Sequence, residues 1–134
     1  MVVKAGTSLL THGGGLDQEV MANLVGQIAR LHLRGKEVIL VSSGAVAAGH
    51  QVLGVSQEGK DMPLRQALAA VGQGRLMHVY QQLFSDHGIA VAQALLSRRD
   101  ITDRLGYLNV RNTLMALLER RVVPIVNEND VVAV

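Results

Sequence analysis

The 134-residue chain contains no cysteine and no tryptophan, and it has only two tyrosines and one phenylalanine. Without thiols there can be no disulfide, no thiolate metal site and no cysteine nucleophile. Three aromatic rings, Tyr80, Phe84 and Tyr107, are too few to form a base-stacking platform. The formal charge of +2 is spread along the chain, with no basic block to follow a phosphate backbone. Nucleic acid is therefore not an expected partner. No uninterrupted apolar run approaches the length of a membrane span, and the start, Met1-Val2-Val3-Lys4-Ala5-Gly6, lacks the layout of a signal peptide. The expected location is the cytoplasm, with no membrane partner. The five histidines (His12, His32, His50, His78, His87) show no metal-ligand spacing, so no protein-held metal is expected.

What the chain does have is enough apolar material for a core. Apolar residues make up 49% and charged residues 18%, a globular balance rather than a disordered one. A chain of this size buries about two-thirds of its unfolded surface. No repeat or linker is visible, and it reads as a single unit.

The periodicity predicts alternating strands and helices. Val2–Lys4 is a short strand, and Gly6-Thr7-Ser8 with Thr11–Gly15 reads as a loop. Asp17 is placed to cap a helix running to Leu33, with Val20, Leu24, Ile28 and Leu31 on its apolar face and Gly35 as its stop. Glu37–Val41 is a second strand and Gly44–Leu53 a helix. Gly54–Asp61 is a polar loop. Asp61 then caps a long helix with Pro63 in its first turn and a stripe of Leu64, Leu68, Val71, Val79, Leu83 and Phe84. Gly72 and Gly74 in its middle suggest close packing against a neighbour, with a kink as the alternative. Gly88 ends the helix, Ile89–Leu96 is a third strand with the continuous apolar character of a doubly buried one, and Ser97–Asp103 is a charged connection. A helix from Leu105 to Arg120 and a strand over Val122–Val126 follow, then Asn127–Asp130 and the apolar run Val131–Val134. The expected fold class is α/β, a three-layer sandwich around a mainly parallel central sheet.

Ligands of such sheets bind beyond the carboxyl ends of the strands. Lys4, Gly6, Thr7 and Ser8 follow the first strand, and Ser42, Ser43 and Gly44 the second. Arg98 and Arg99 follow the third, and Asn127, Glu128, Asn129 and Asp130 the fourth. Taken singly, each has a plainer reading: a solvated lysine, a strand-to-helix turn, a surface arginine pair, an Asn/Asp turn bonding its own backbone. Together they describe a polar site with both signs of charge. The fingerprints of dinucleotide and P-loop sites are missing, and Ser43 lies outside a nucleophile elbow.

Four blocks, V-V-K-A-G-T-S (2–8), V-S-S-G-A-V-A-A-G (41–49), A-A-V-G-Q-G-R-L (69–76) and V-P-I-V-N-E-N-D (123–130), occur in the order and spacing of the glutamate 5-kinases. The whole chain resembles this branch of the amino acid kinase superfamily, rather than the aspartate, acetylglutamate, carbamate or uridylate kinases. The resemblance implies ATP-dependent phosphorylation of the γ-carboxylate of L-glutamate to glutamyl 5-phosphate, the first step of proline biosynthesis. It implies that Lys4 contacts the transferred phosphoryl group, and that Gly6, Thr7 and Ser8 hold phosphates. Ser43, Gly44 and Ala45 would hold glutamate, with Asp130 on its ammonium group and Asn127 nearby. Mg²⁺ would be carried mainly by the phosphates and water. Proline as a feedback inhibitor at the glutamate site, and a homo-oligomer (dimer or tetramer) with contacts around Ser97–Asn109, are further implications.

The chain departs from the family pattern at Ala5, where a larger apolar residue is usual, and at Ser42, where threonine is usual. The family's kinase domain continues well past the N-E-N-D block. Residues 1–134 are therefore expected to be the amino-acid-substrate half of such a domain, inactive alone, with the adenine half and any C-terminal RNA-binding-like domain elsewhere. Two alternatives stay open: a non-catalytic module binding glutamate or proline, and a different carboxylate kinase of the superfamily.

Overall fold

The computed structural model describes residues 1–54, 62–94 and 103–127. Its elements run β1 (Val2–Ala5), α1 (Thr7–Leu10), β2 (Thr11–His12), β3 (Gly15–Leu16), α2 (Gln18–Leu33), β4 (Ile39–Ser42) and α3 (Ala45–Leu53). They continue as α4 (Met62–Ser85), β5 (Val91–Ala94), α5 (Arg104–Glu119) and β6 (Val123–Asn127). The expected cap at Asp61, the loop over 55–61, the connection over 97–102 and the run Val131–Val134 lie outside the described residues.

Four strands pair in parallel in the order β1-β4-β6-β5. The connections β1 to β4 and β4 to β5 step one way across the sheet, and β5 to β6 steps back. With right-handed crossovers, α2 and α4 then lie on one face and α5 on the other. Helix contacts agree, since α2 touches α4 while α5 meets β6. The layered α/β expectation therefore holds. The main core lies under α2 and α4, where Met21, Val25, Ile28, Met77, Tyr80 and Phe84 pack with Leu40, Val123 and Ile125. On the other face, α5 fully buries none of its residues.

Local sequence explains the helix ends. Asp17 Oδ1 accepts from the amides of Glu19 and Val20, both at 3.1 Å, satisfying two of the first-turn donors of α2. At the other end, the Lys36 amide bonds Leu31 O and the Gly35 amide bonds His32 O. Gly35 has φ +86°, so this is a Schellman stop. The matching turn after α5 uses Arg121 at φ 61°, an unfavourable angle for a side-chain-bearing residue. Its guanidinium donates to the His32 carbonyl, which ties the two turns together.

Three expectations need correction. The segment read as a loop is instead the helical turn α1 and an antiparallel hairpin, in which Thr11 faces Leu16 and His12 faces Gly15. Gly13 and Gly14, at φ 63° and 85°, form its two-residue turn, since both central positions of such a turn require positive φ. Val71 is exposed rather than part of the α4 stripe, whose buried face is Leu68, Ala69, Gly72, Leu76, Met77, Val79, Tyr80 and Phe84. Finally, β5 is half-buried and pairs only with β6 among the described residues, so its apolar run does not mark a doubly covered strand.

His32 is buried at the end of α2. Burial first, and the Arg121 cation second, hold its pKa below the usual 6.5. The fold thus favours the neutral ring. Stability from this site is complete above about 6.5 and is lost as the pH falls through the depressed folded value. Melting curves at about pH 7.5 and 5.5 should show a larger acid drop for the wild type than for His32→Leu. Equal drops would assign the acid sensitivity to other groups.

Candidate functional site

The carboxyl ends of three adjacent strands meet in one row. Register pairs Ala5 with Ser42 and Ser42 with Asn127. The turn Gly6-Thr7-Ser8 and the turn Ser43-Gly44-Ala45 therefore leave neighbouring strands side by side. A direct bond joins them: the Ser43 amide donates to Ala5 O at 3.0 Å. That amide is thereby used, so the donors left to the second turn are the Ser43 hydroxyl and the amides that follow.

Those amides belong to the uncapped first turn of α3. Gly44 is its N-cap at φ 102°, with no side-chain cap. The first intrahelical bond is Ala48 N–H to Gly44 O at 3.0 Å. The amides from Gly44 to Ala47 precede that ladder and carry the positive end of the helix dipole. Gly44 is favoured by its positive φ; an added Cβ would make only ordinary contact with Leu16 and Leu10, at 3.5 and 3.9 Å.

The turn is anchored from beneath. Ser42 Oγ donates to Ser43 O at 3.1 Å and lies 2.8 Å from Tyr80 Oη on α4, both side chains buried. With the serine proton committed to Ser43 O, the phenol donates. Burial raises the Tyr80 pKa, partly opposed by the Ser42 bond, so the ring stays a neutral donor. From the side, Gln51 Oε1 of α3 accepts from the Leu16 amide at 3.2 Å, which docks the β2–β3 hairpin on the helix. From behind, α3 and α4 touch backbone to backbone. A Cβ on Gly72 would stand 1.6 Å from Ala45 O, and one on Gly49 2.0 Å from Leu68 O.

Lys4 is exposed and lies one residue before the row, opposite Val41. Strand alternation sends its side chain to the sheet face opposite that of Ala5 and Ser42, so its flexible stem would approach the row around the edge. Gly6 caps α1, and the Leu10 amide bonds Gly6 O at 3.2 Å. Thr7 and Ser8 are exposed beside it. Asn127 is at the end of β6, half-buried, with Oδ1 shielded and unpartnered among the described residues. Asp130, with Glu128, Asn129, Arg98 and Arg99, lies outside the described residues. The row thus gathers Gly6–Ser8, Ser43–Ala45 and Asn127. Tyr80, Gln51 and Gly72 supply its support, and of these only the glycine was foreshadowed by sequence. A separate depression on α4 is lined by His78, Gln81, Gln82, Ser85 and Asp86 and includes none of the row's residues.

Comparison with known proteins gives a consistent result. The model of the amino acid kinase family matches residues 1–134. The chain is 57% identical over 135 residues to a glutamate 5-kinase of Dehalococcoides mccartyi strain CBDB1, and 60% identical to that of strain ATCC BAA-2266 / KCTC 15142 / 195. It is 51% identical over 133 residues to a glutamate 5-kinase of Thermus thermophilus. These matches cover 99–100% of the chain and 36% of each relative. The chain spans about a third of the length of the curated relatives it matches. Among the described residues, no helix is long and apolar enough to cross a membrane.

Proposed function

The chain belongs to the amino acid kinase family, and on that premise we propose that its protein phosphorylates the γ-carboxylate of L-glutamate with ATP. The observation that carries this reading is the pairing of two anion-ready turns on adjacent parallel strands, locked by the Ser43–Ala5 bond. A phosphoryl donor and a carboxylate acceptor must be held side by side with little covalent help from the protein, because such transfers depend on positioning and charge stabilisation. Supporting it are the names of the relatives that match the whole chain.

In this reading, the Ser43 hydroxyl and the amides of Gly44 and Ala45 hold glutamate through its carboxylate, next to the phosphate wall of Gly6, Thr7 and Ser8. A carboxylate oxygen forms a bond to the terminal phosphorus of ATP as the bond from that phosphorus to the β-phosphate oxygen breaks, giving the acyl phosphate and ADP. Lys4 neutralises charge on the transferred group. Lysine, hydroxyls and amides suit phosphate oxygens better than a bare metal ion, so Mg²⁺ would enter with the nucleotide and reduce its charge. Asp130 and Asn127 face the ammonium group. Proline, an amino acid with the same α-carboxylate and a cationic nitrogen, would compete for this wall as a feedback ligand. The apolar side chains that α5 leaves exposed, Leu105 and Tyr107 foremost, offer a surface for a homo-oligomer. A place in proline biosynthesis and a cytoplasmic location belong to the same proposal.

Titration calorimetry on the intact protein tests the split between the two walls. Asp130→Asn should weaken L-glutamate binding by about tenfold or more while changing Mg-ATP binding by less than about twofold. Equal losses for both ligands would contradict the assignment of Asp130 to the amino acid.

A further inference from the structure

Tyr80 is fully buried beside Phe84, with ring centroids 6.4 Å apart, and its hydroxyl lies 2.8 Å from Ser42 Oγ. A buried tyrosine ordinarily finds a partner for its hydroxyl, and the plain reading ends there. Here the chain of bonds continues. Ser42 Oγ donates to Ser43 O at 3.1 Å, and Ser43 O belongs to the peptide that carries the Gly44 amide. The phenol therefore reaches, through one serine, the backbone of the turn assigned to glutamate.

That peptide is the one in the turn that needs holding. The peptides on either side are fixed by backbone bonds, Ser43 N–H to Ala5 O and Ala48 N–H to Gly44 O, both at 3.0 Å. Between them, among the described residues, Ser43 O has the Ser42 hydroxyl as its donor. No described peptide bond is cis, so this carbonyl and its N–H point in opposite directions. With Ser43 O turned to Ser42, the Gly44 N–H points away from the buried Ser42–Tyr80 pair. Turning the peptide over would exchange the two and present a carbonyl oxygen where a carboxylate is to bind. Backbone torsion does not prevent this. It would carry Gly44 φ from 102° into the negative range, and glycine accepts both signs about equally.

We propose that Tyr80 is a positioning residue of the glutamate site: through Ser42 it holds the Ser43–Gly44 peptide with its N–H, rather than its carbonyl, toward the γ-carboxylate. The proposal rests on the glutamate reading given above and deepens it. A hydroxyl that receives a hydrogen bond donates a stronger one, so the phenol reinforces the Ser42 bond to Ser43 O. Without the phenol, Ser42 Oγ loses its donor in a buried place and the partner that fixes its rotamer. The peptide it holds is then less restrained than its two neighbours. A carboxylate, which only accepts, is penalised when the carbonyl turns toward it, whereas a carboxamide can donate to that carbonyl.

The test is calorimetry on the intact protein with L-glutamate, L-glutamine and Mg-ATP, the two amino acids differing only at the γ-group. In Tyr80→Phe, which keeps the buried ring, the Kd for L-glutamate should rise by about fivefold or more. Binding of L-glutamine and of Mg-ATP should change by less than about twofold. Ser42→Ala should show the same glutamate-selective loss. The double variant Tyr80→Phe/Ser42→Ala, which leaves no unpaired hydroxyl in the core, should bind L-glutamate no more weakly than Ser42→Ala, because the tyrosine acts through the serine. Unchanged glutamate binding in Tyr80→Phe, additive losses in the double variant, or equal losses for glutamate and glutamine would overturn the proposal. A wild-type protein that fails to bind L-glutamate would instead remove the underlying glutamate reading, before any variant is compared.

Discussion

Gly72→Ala is expected to cost about 3 kcal/mol of stability or more, and to weaken glutamate binding in whatever fraction still folds. The added methyl would stand 1.6 Å from Ala45 O and 2.5 Å from the Gly49 amide nitrogen. Both are backbone atoms, so no side chain can rotate away, and α3 must move as a body. Ala45 is the first residue of α3 and part of the turn assigned to glutamate, which couples a packing fault to binding. Gly74 is the natural control, two residues along the same helix with nothing within 4 Å of an added Cβ. Gly74→Ala should therefore stabilise, by about 1 kcal/mol, through helix propensity alone. Urea unfolding of the two variants reads both signs, and a Gly72→Ala midpoint at or above wild type would refute the backbone contact.

Lys4→Met should reduce acyl-phosphate formation by about a hundredfold or more, with L-glutamate affinity unchanged within about twofold. The position is exposed, so an unbranched apolar side chain of similar length is tolerated and folding should be unaffected. The side chain leaves β1 on the opposite face from Ser42, and the proposed function gives it the transferred phosphoryl group rather than glutamate. An equal fall in kcat/KM caused wholly by a raised KM for glutamate would reassign Lys4 to substrate binding. Measuring turnover and glutamate affinity separately distinguishes the two.

Much of this layout was legible in local chemistry. Asp17 announces a helix start, Gly35 and Gly88 announce stops, and the V-I-L-V-S-S-G run is a strand meeting a turn. Such signals depend on neighbours in sequence. The hairpin at Thr11–Leu16 was read as a loop, because three consecutive glycines describe a loop as well as a hairpin turn and the strands are only two residues long. Other features depend on distant partners. Nothing near Tyr80 shows that its hydroxyl will meet Ser42, 38 residues away. Gly72 and Gly74 look alike in sequence, and only the position of α3 makes one indispensable and the other replaceable. Val71 falls at a helical spacing from Leu64 and Leu68, yet the turn of the helix places it on the solvent side. At the site, the turns and their order along the chain were readable, whereas their adjacency is a property of strand order. The use of the Ser43 amide by Ala5 could not be read from the sequence at all.

In the proposed function the two turns hold a phosphoryl donor and the γ-carboxylate of glutamate side by side. The most direct measurement is trapping of the product with hydroxylamine, using the intact protein, Mg-ATP and L-glutamate. γ-Glutamyl hydroxamate should accumulate with ADP, dependent on L-glutamate and lost in Lys4→Met. A protein that binds L-glutamate and Mg-ATP but forms no hydroxamate would contradict this function.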